Sequence, residues 1–396
     1  MSNKNNINCN VICARNSNFE LMRIVSMFFI IIYHIIFRIG SIYSYQMSTI
    51  TYMFLKFLIA IVLVHVNSFI ILTGYFQCEK RMKVTKIFSI NNAVWFYQIA
   101  FLTLALLLSH YLNIKLAYPI TELDIFKSII PLDYGLYWYI GNYLVLYILS
   151  PILNKIVNSC NKKELQWIII IMMILFSIIP TLTLDGVIYT NQGHSIANFI
   201  LLYFIGAYLK IYPIHKNDIL KKVSITARKT IYILVFFTSS LLSLLCFSMS
   251  EQLSNPNNGE IVNHISSIFF NFYNSFGSPI LIMQTVSYFL FFSTITFKNK
   301  LINKISRYTL GIYLIHENVY VRDNLYGLLR CFNVERFQSK QVLMIFIIAI
   351  IIFIVCALIE MMRQLIFKFI YNRKISHKFR RLYRSYFDKL GLKINW

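Results

Sequence analysis

The chain has 396 residues, of which 58% are hydrophobic and 13% are charged, and its mean hydropathy is +0.62. Soluble globular proteins have about 25% charged residues, so this composition excludes a soluble enzyme or binding module and predicts an integral membrane protein. The seven cysteines show no metal-ligand spacing, and we expect them to be reduced. The net charge of +23 raises the question of a nucleic-acid partner, which the placement of the charge answers.

Apolar runs of about 20 residues, each long enough to cross the hydrocarbon core as a helix, recur along the chain. They predict an all-α integral membrane protein with about ten transmembrane helices, and ten crossings put both termini on the same side. One membrane domain is expected at 19–367, between tails at 1–18 and 368–396. The predicted segments are 19–39, 51–76, 88–112, 136–157, 165–182, 196–212, 230–249, 279–297, 308–327 and 341–367.

The basic residues between these segments indicate the orientation. With the N-terminus in the cytoplasm, the inner loops and tails hold 28 lysines and arginines, whereas the outer loops hold five. This asymmetry predicts that both termini are cytoplasmic. The positive charge is then explained by topology and by contact with the anionic lipids of the bilayer, so no nucleic-acid partner is expected. We expect a multi-pass protein of the plasma membrane.

The first segment carries two ionisable residues, Arg23 and His34, in an otherwise apolar helix. Eleven residues of helix place them within about 20° of each other around the axis and about 16 Å apart along it. Taken singly, each residue has a structural interpretation: Arg23 reaches the headgroups or pairs with Glu20, and His34 is an interior histidine with ordinary hydrogen bonds. Two such residues on one face favour a functional pair.

The second segment contains His65-Val-Asn67-Ser68 and ends at Leu72-Thr-Gly74-Tyr-Phe76. Asn67 and Gly74 share a helical face, and Gly74 permits the close approach of a ligand or of another helix. Small and polar residues of this kind also join helices within membranes, which is the simpler interpretation. The basic residues that follow, at 80–86, are a topology signal that also suits a phosphorylated nucleotide.

The segment 308–327 begins apolar but continues as His316-Glu-Asn-Val-Tyr-Val-Arg-Asp323. It is too polar to face lipid throughout, so it must face the protein interior or break at a water-filled cavity. Because adjacent residues do not share a helical face, His316 and Glu317 can act together only if the helix breaks there. The loop at 250–278 is predicted to form an interfacial or re-entrant element on the outer side.

Several sequence pieces resemble the acyltransferase-3 family of bacterial membrane acyltransferases. The resemblance covers nearly the whole chain, and the order and spacing of its pieces are more specific than any one of them. Thr73 stands where the family more often has serine. The matching pieces are Arg15-Asn-Ser-Asn-Phe-Glu20-Leu-Met-Arg23 followed by His34, Asn67-Ser-Phe-Ile-Ile-Leu-Thr-Gly-Tyr-Phe76, Tyr137-Trp138, Leu149-Ser-Pro-Ile-Leu-Asn154, Phe204-Ile-Gly-Ala-Tyr208 and Ile312-Tyr-Leu-Ile-His-Glu-Asn318.

The resemblance implies transfer of an acyl group, commonly acetyl from acetyl-CoA, to a hydroxyl of an extracytoplasmic glycan or its lipid-linked precursor. His34 would be the catalytic histidine, as general base or as a covalent acyl-histidine, and Arg23 would grip the coenzyme. No metal is required. The predicted catalytic residues are His34, His316 and Glu317. The predicted coenzyme-binding residues are Arg23, Glu20, Asn67, Ser68, Gly74, Lys80 and Arg81. Candidate oxyanion donors are Asn67, Ser68, Tyr33 and His316.

Two other functions fit the same sequence. A transporter or flippase for a lipid-linked sugar would also have buried polar residues along a pathway. An acyltransferase could instead act on a lipid or a small molecule, or use a succinyl donor. Only the acyltransferases predict that a thioester is consumed with release of a free thiol.

Overall fold

The computed structural model describes ten stretches of the chain, and those stretches contain helices and no strand. The predicted tails at 1–18 and 368–396 lie largely outside them. The described residues are 16–39, 49–111, 116, 120–130, 136–184, 186, 188–213, 221–255, 257–331 and 341–371.

Sixteen α-helices lie in the described ranges. A π-helical turn lies at Ile174–Ile178, and a 3₁₀ turn lies at Ser306–Tyr308. The helices are α1 (Ser17–Ile39), α2 (Thr49–Val62), α3 (His65–Gln77), α4 (Val84–Tyr111), α5 (Glu122–Ile129), α6 (Trp138–Ser159), α7 (Lys162–Met173), α8 (Ile179–Thr183), α9 (Ile196–Ile211), α10 (Ile225–Leu253), α11 (Glu260–Asn274), α12 (Pro279–Ser293), α13 (Lys300–Ile305), α14 (Thr309–His316), α15 (Val319–Cys331) and α16 (Gln341–Tyr371).

Among the described residues, eight helical stretches are long and apolar enough to cross a membrane. This confirms an all-α membrane protein. Each of the eight overlaps a predicted segment. The two other predicted segments correspond to the short helix α9 and to the divided region of α14 and α15. The eight stretches are Ser17–Arg38, Ile50–Gln77, Val84–Tyr111, Trp138–Ser159, Lys162–Thr183, Ile225–Leu253, Glu260–Ser293 and Val342–Lys368.

Helix α9 has only 16 residues, and it is buried among α3, α6 and α7. Its contact with α3 depends on two glycines. A Cβ atom on Gly74 of α3 would lie 2.2 Å from the carbonyl oxygen of Tyr203, and a Cβ atom on Gly206 of α9 would lie 2.2 Å from that of Ile71. Both helices therefore need a glycine at this contact, which is the joining role that small residues have in membranes.

Two of the predicted membrane segments, 51–76 and 308–327, are each divided into two helices. Leu63 and Val64 separate α2 from α3, and Glu317 and Asn318 separate α14 from α15. The second interruption confirms the prediction that the polar half of 308–327 requires a break. The Asn318 amide group donates to Gln98 Oε1 at 2.9 Å and to Tyr137 Oη at 2.8 Å, and its Oδ1 accepts from the Tyr320 amide at 3.1 Å. Asn318 thus satisfies the Tyr320 amide, and Tyr137 Oη donates to the Leu314 carbonyl oxygen at 3.0 Å, so both sides of the break are bonded inside the protein.

Two regions expected as loops contain helices. The predicted outer loop at 113–135 includes α5, which begins with a capping box between Thr121 and Asp124. The predicted interfacial or re-entrant stretch at 250–278 includes α11, which is followed by four residues leading into α12. In those four residues, Phe276 is 4% exposed and packs in the interior.

Candidate functional site

The structure brings His34 of α1 together with His316 and Glu317 at the end of α14. His34 Nδ1 lies 3.3 Å from His316 Nε2 and 3.1 Å from Glu317 Oε1. The end of α14 at His316 makes this possible, because Glu317 lies in the break and is freed from the face that an unbroken helix would impose. All three predicted catalytic residues therefore lie in one cluster, which we call the histidine–glutamate cluster.

The hydrogen bonds of the cluster determine where the protons lie. His316 Nδ1 is 2.6 Å from the Ile312 carbonyl oxygen, so this nitrogen carries the proton and donates. His316 Nε2 is then an acceptor, and His34 Nδ1 donates to it at 3.3 Å. Glu317 Oε1 lies 3.1 Å from the same nitrogen as an electrostatic partner, and it accepts no hydrogen bond from the described residues. His34 Nε2 is consequently unprotonated, and no described residue bonds to it. That nitrogen can accept a proton from a substrate.

Arg38 completes the cluster and was not predicted from the sequence. Its Nη2 lies 3.1 Å from Glu317 Oε2, and its guanidinium group lies 5.9 Å from the ring centre of Tyr326. A buried carboxylate needs a paired cation, and Arg38 provides one. The signal was its position four residues after His34, on the same face of α1.

Arg23 lies toward the other end of α1, which we call the basic end. Its Nη1 pairs with Glu20 Oε1 at 2.8 Å, so Glu20 orients Arg23 as its spacing indicated. The guanidinium group of Arg23 lies 5.4 Å from the ring centre of Phe76, and Lys80 Nζ lies 5.7 Å from the same centre. Two cations thus lie close to one ring. Arg81, the next residue in the sequence, is exposed.

The remaining predicted site residues lie on α3 and make none of the contacts just described. The Asn67 amide group donates to the Phe276 carbonyl oxygen at 2.8 Å. Ser68 Oγ is 2.7 Å from both Ser26 Oγ and the His65 carbonyl oxygen. Gly74 lies against α9. Coenzyme contacts by these residues, and the oxyanion roles of Asn67, Ser68, Tyr33 and His316, remain predictions.

A series of aromatic rings connects the basic end with the histidine–glutamate cluster. Along α6, the ring centres of Tyr147 and Tyr143 are 6.4 Å apart, and those of Tyr143 and Tyr139 are 6.2 Å apart. Tyr313 lies 5.9 Å from Tyr139 and 6.1 Å from His316. This tyrosine series begins beside the basic residues at 80–86, where the Lys83 amide donates to Tyr147 Oη at 2.9 Å and Lys86 Nζ donates to Tyr143 Oη at 2.7 Å.

The cluster also has the donor types of a metal site. His34, His316 and Glu317 each offer a ligand atom, and these atoms lie within 4.8 Å of one another. Nitrogen and oxygen ligands of this kind suit zinc. Arg38 already binds the second carboxylate oxygen, so Glu317 would contribute one oxygen only.

A cavity of about 650 Å³ lies near the basic end. It shares Phe19 with the surroundings of Arg23, since the Phe19 ring packs on that of Phe76 at 5.3 Å. Arg228 and Lys298 are its basic residues, and most of the rest of its lining is apolar. It is a second place at this end of the protein where an anionic group could bind.

The comparisons with known proteins give one match. A family model described as an acyltransferase domain matches residues 16–361, which includes every residue of the cluster and of the basic end. Searches of curated proteins and of solved structures found no match to the chain.

Proposed function

The chain belongs to the acyltransferase-3 family, and we propose that it transfers an acetyl group from acetyl-CoA to a hydroxyl of a cell-surface polysaccharide or its lipid-linked precursor. The protein is a membrane acyltransferase, and we place it in the plasma membrane. The observation that carries the proposal is the contact of His34 with both His316 and Glu317, on the helix that also carries Arg23.

His34 acts as the general base in this proposal. As the acceptor oxygen attacks the thioester carbonyl carbon, His34 Nε2 takes the hydroxyl proton. Glu317 stabilises the resulting positive charge through His34 Nδ1, in the manner of the acid in a catalytic triad. The tetrahedral intermediate then collapses, the carbon–sulfur bond breaks, and the proton passes from His34 to the departing thiolate sulfur. An ester and free CoA are the products.

The same geometry favours a base over a covalent acyl-histidine. An acyl-histidine would form on Nε2 and would become cationic while Nδ1 kept its proton. The carboxylate behind Nδ1 supports both species, but a base needs only the proton transfer that this hydrogen-bond pattern already prepares. We therefore propose direct transfer from the thioester to the acceptor.

Arg23 and Lys80 hold the phosphates of acetyl-CoA at the cytoplasmic face. Guanidinium and ammonium groups are the usual partners of phosphate, and Glu20 keeps Arg23 oriented. Coenzyme A carries its thioester at the end of a long pantetheine arm. The spacing of about 16 Å between Arg23 and His34 along α1 suits an arm that runs into the membrane. The tyrosine series offers apolar ring surface along that direction.

The test is proton NMR of purified surface polysaccharide from cells that carry the wild-type chain, no chain, or His34→Ala at matched expression. We expect O-acetyl signals with the wild-type chain only, because the base is lost in the variant. A glycan that is unchanged in all three would refute the glycan acceptor. O-acetyl signals of wild-type intensity with His34→Ala would refute the role of His34.

A further inference from the structure

His65 is the most unusual polar residue outside the proposed reaction. It begins α3 at the helix break, its side chain is 2% exposed, and neither ring nitrogen has a hydrogen-bond partner. Its ring lies between two others, with centre distances of 5.2 Å to Tyr33 and 5.6 Å to Phe276. A buried imidazole with two unsatisfied nitrogens is costly to fold, so a ligand that satisfies them is the natural explanation.

Two buried asparagines near His65 also have a polar atom without a hydrogen-bond partner. Asn67 and Asn198 are both fully buried, and the Oδ1 atom of each lacks a partner. Their amide nitrogens are already used: Asn67 donates to the Phe276 carbonyl oxygen at 2.8 Å, and Asn198 donates to the Gly193 carbonyl oxygen at 2.9 Å. These bonds fix the orientation of both amides, so each presents an acceptor oxygen.

His65, Asn67 and Asn198 all contact Phe276. Asn198 also lies 3.4 Å from the Phe276 carbonyl oxygen, which Asn67 contacts, and His65 packs on the Phe276 ring. Neutral His65 has one nitrogen that lacks a donor and one N–H that lacks an acceptor, and each asparagine Oδ1 lacks a donor. A ligand must therefore bring at least two hydrogen-bond donors and one group that serves neutral His65 as donor or acceptor.

Adjacent hydroxyl groups on a sugar ring meet these requirements, because each hydroxyl can donate and accept. Aromatic side chains nearby offer faces for the apolar side of such a ring. His194 packs on Trp138 at 4.5 Å and on Phe276 at 4.9 Å between ring centres. His194 is partly exposed and lies outside the membrane-spanning helices, so this aromatic group extends from the buried polar atoms toward the surface.

We infer that His65, Asn67 and Asn198 form a subsite that binds the hydroxyl groups of the acceptor sugar next to His34. Tyr33 connects the two places, with its ring centre 5.7 Å from His34 and 5.2 Å from His65. The subsite would hold neighbouring hydroxyls while one hydroxyl faces His34 Nε2. The placement of the reacting hydroxyl rests on the proposed function, whereas sugar binding at His65 does not. This assignment makes Asn67 an acceptor-binding residue in place of the coenzyme-binding role expected from the sequence.

The test uses the full chain in nanodiscs and methyl pyranosides of the gluco, galacto, manno and N-acetylglucosamine series as probes. Binding is measured by saturation-transfer NMR and by thermal unfolding, and CoA release from acetyl-CoA is measured separately by mass spectrometry. The variants are His65→Phe, which keeps an aromatic ring but removes both nitrogens, and Asn198→Leu. His264→Phe is the matched control, since His264 is exposed on α11.

We expect at least one pyranoside to bind the wild type and the control, and to bind His65→Phe at least about tenfold more weakly. Without sugar, His65→Phe should unfold at the same temperature as the wild type or higher, because two unsatisfied buried atoms are gone. The acetyl-CoA KM for thioester cleavage without an acceptor should not change. A merely structural histidine would give the reverse result, with lower stability and unchanged sugar binding.

Two results would overturn the subsite. The first is wild-type protein that binds none of the pyranosides, which would mean that the polar atoms hold buried water only. The second is equal binding by the wild type, His65→Phe and Asn198→Leu. The wild-type measurement stands even if a variant does not fold. Sugar binding without any CoA release would leave the subsite in place and refute the proposed function. CoA release with no sugar binding would refute the subsite alone.

Discussion

At the scale of single residues, the proposed chemistry depends on the charge behind His34. His316 Nε2 accepts the proton of His34 Nδ1 at 3.3 Å, which leaves His34 Nε2 able to act as a base, and the Glu317 carboxylate 3.1 Å from Nδ1 supplies the negative charge. The sequence predicted both residues but not how they meet. His316 and Glu317 are adjacent in sequence, and both reach His34 only because the helix ends at His316.

We predict that Glu317→Gln lowers kcat for acetyl transfer by about 100-fold or more, since the imidazolium formed on His34 loses its stabilising carboxylate. The acetyl-CoA KM should stay the same, because Glu317 lies away from the basic end. The measurement is steady-state CoA release per folded protein in nanodiscs.

Glu360→Gln is the matched control for that variant. Glu360 is a buried carboxylate that pairs with Arg363 at 2.7 Å, outside the histidine–glutamate cluster. Its loss should affect stability without lowering kcat per folded molecule. Wild-type kcat in Glu317→Gln, or an equal decrease in both variants, would count against the role of Glu317.

At the scale of helices, long apolar runs were predicted well, whereas interruptions and short helices were predicted less well. The length of the apolar run alone identifies a span such as Val84–Tyr111, because the thickness of the hydrocarbon core sets the length that a spanning helix needs. The break between α2 and α3 left no such signal: Leu63 and Val64 are as apolar as their neighbours. The polar run after His316 did give a signal, and the break occurs there. The helix α5 was missed although Thr121 and Asp124 have capping-box spacing.

We predict that Gly74→Ala destabilises the folded protein by about 1–3 kcal/mol, because the added methyl group overlaps the Tyr203 backbone and separates α3 from α9. Gly206→Ala should have a similar effect, since it opens the same contact. The measurement is thermal unfolding in detergent. Gly259→Ala is the control, because a Cβ atom there has no neighbour within 4 Å. If Gly74→Ala were as stable as Gly259→Ala, the close contact of α3 and α9 would be wrong.

At the scale of the whole molecule, α1 connects two chemically different ends. The basic end gathers Arg23 and Lys80 around Phe76, and the other end holds the histidine–glutamate cluster. The spacing of Arg23 and His34 could be predicted from the sequence, because helix geometry fixes it. The ion pair of Arg38 with Glu317 and the unpartnered polar atoms around His65 could not be predicted. They depend on contacts between segments that are 200 or more residues apart in sequence.

The central claim is that Arg23 binds the coenzyme while His34 carries out the chemistry about 16 Å away. The most direct measurement is the rate of CoA release against acetyl-CoA concentration for the wild type, Arg23→Gln and His34→Ala in nanodiscs. Arg228→Gln, which removes a cation from the cavity near the same end, is the control. We predict that Arg23→Gln raises the acetyl-CoA KM about tenfold or more with kcat nearly unchanged. His34→Ala should remove turnover, and the control should match the wild type. The claim would be contradicted if Arg228→Gln raised the acetyl-CoA KM while Arg23→Gln left it unchanged. Full turnover by His34→Ala would also contradict it.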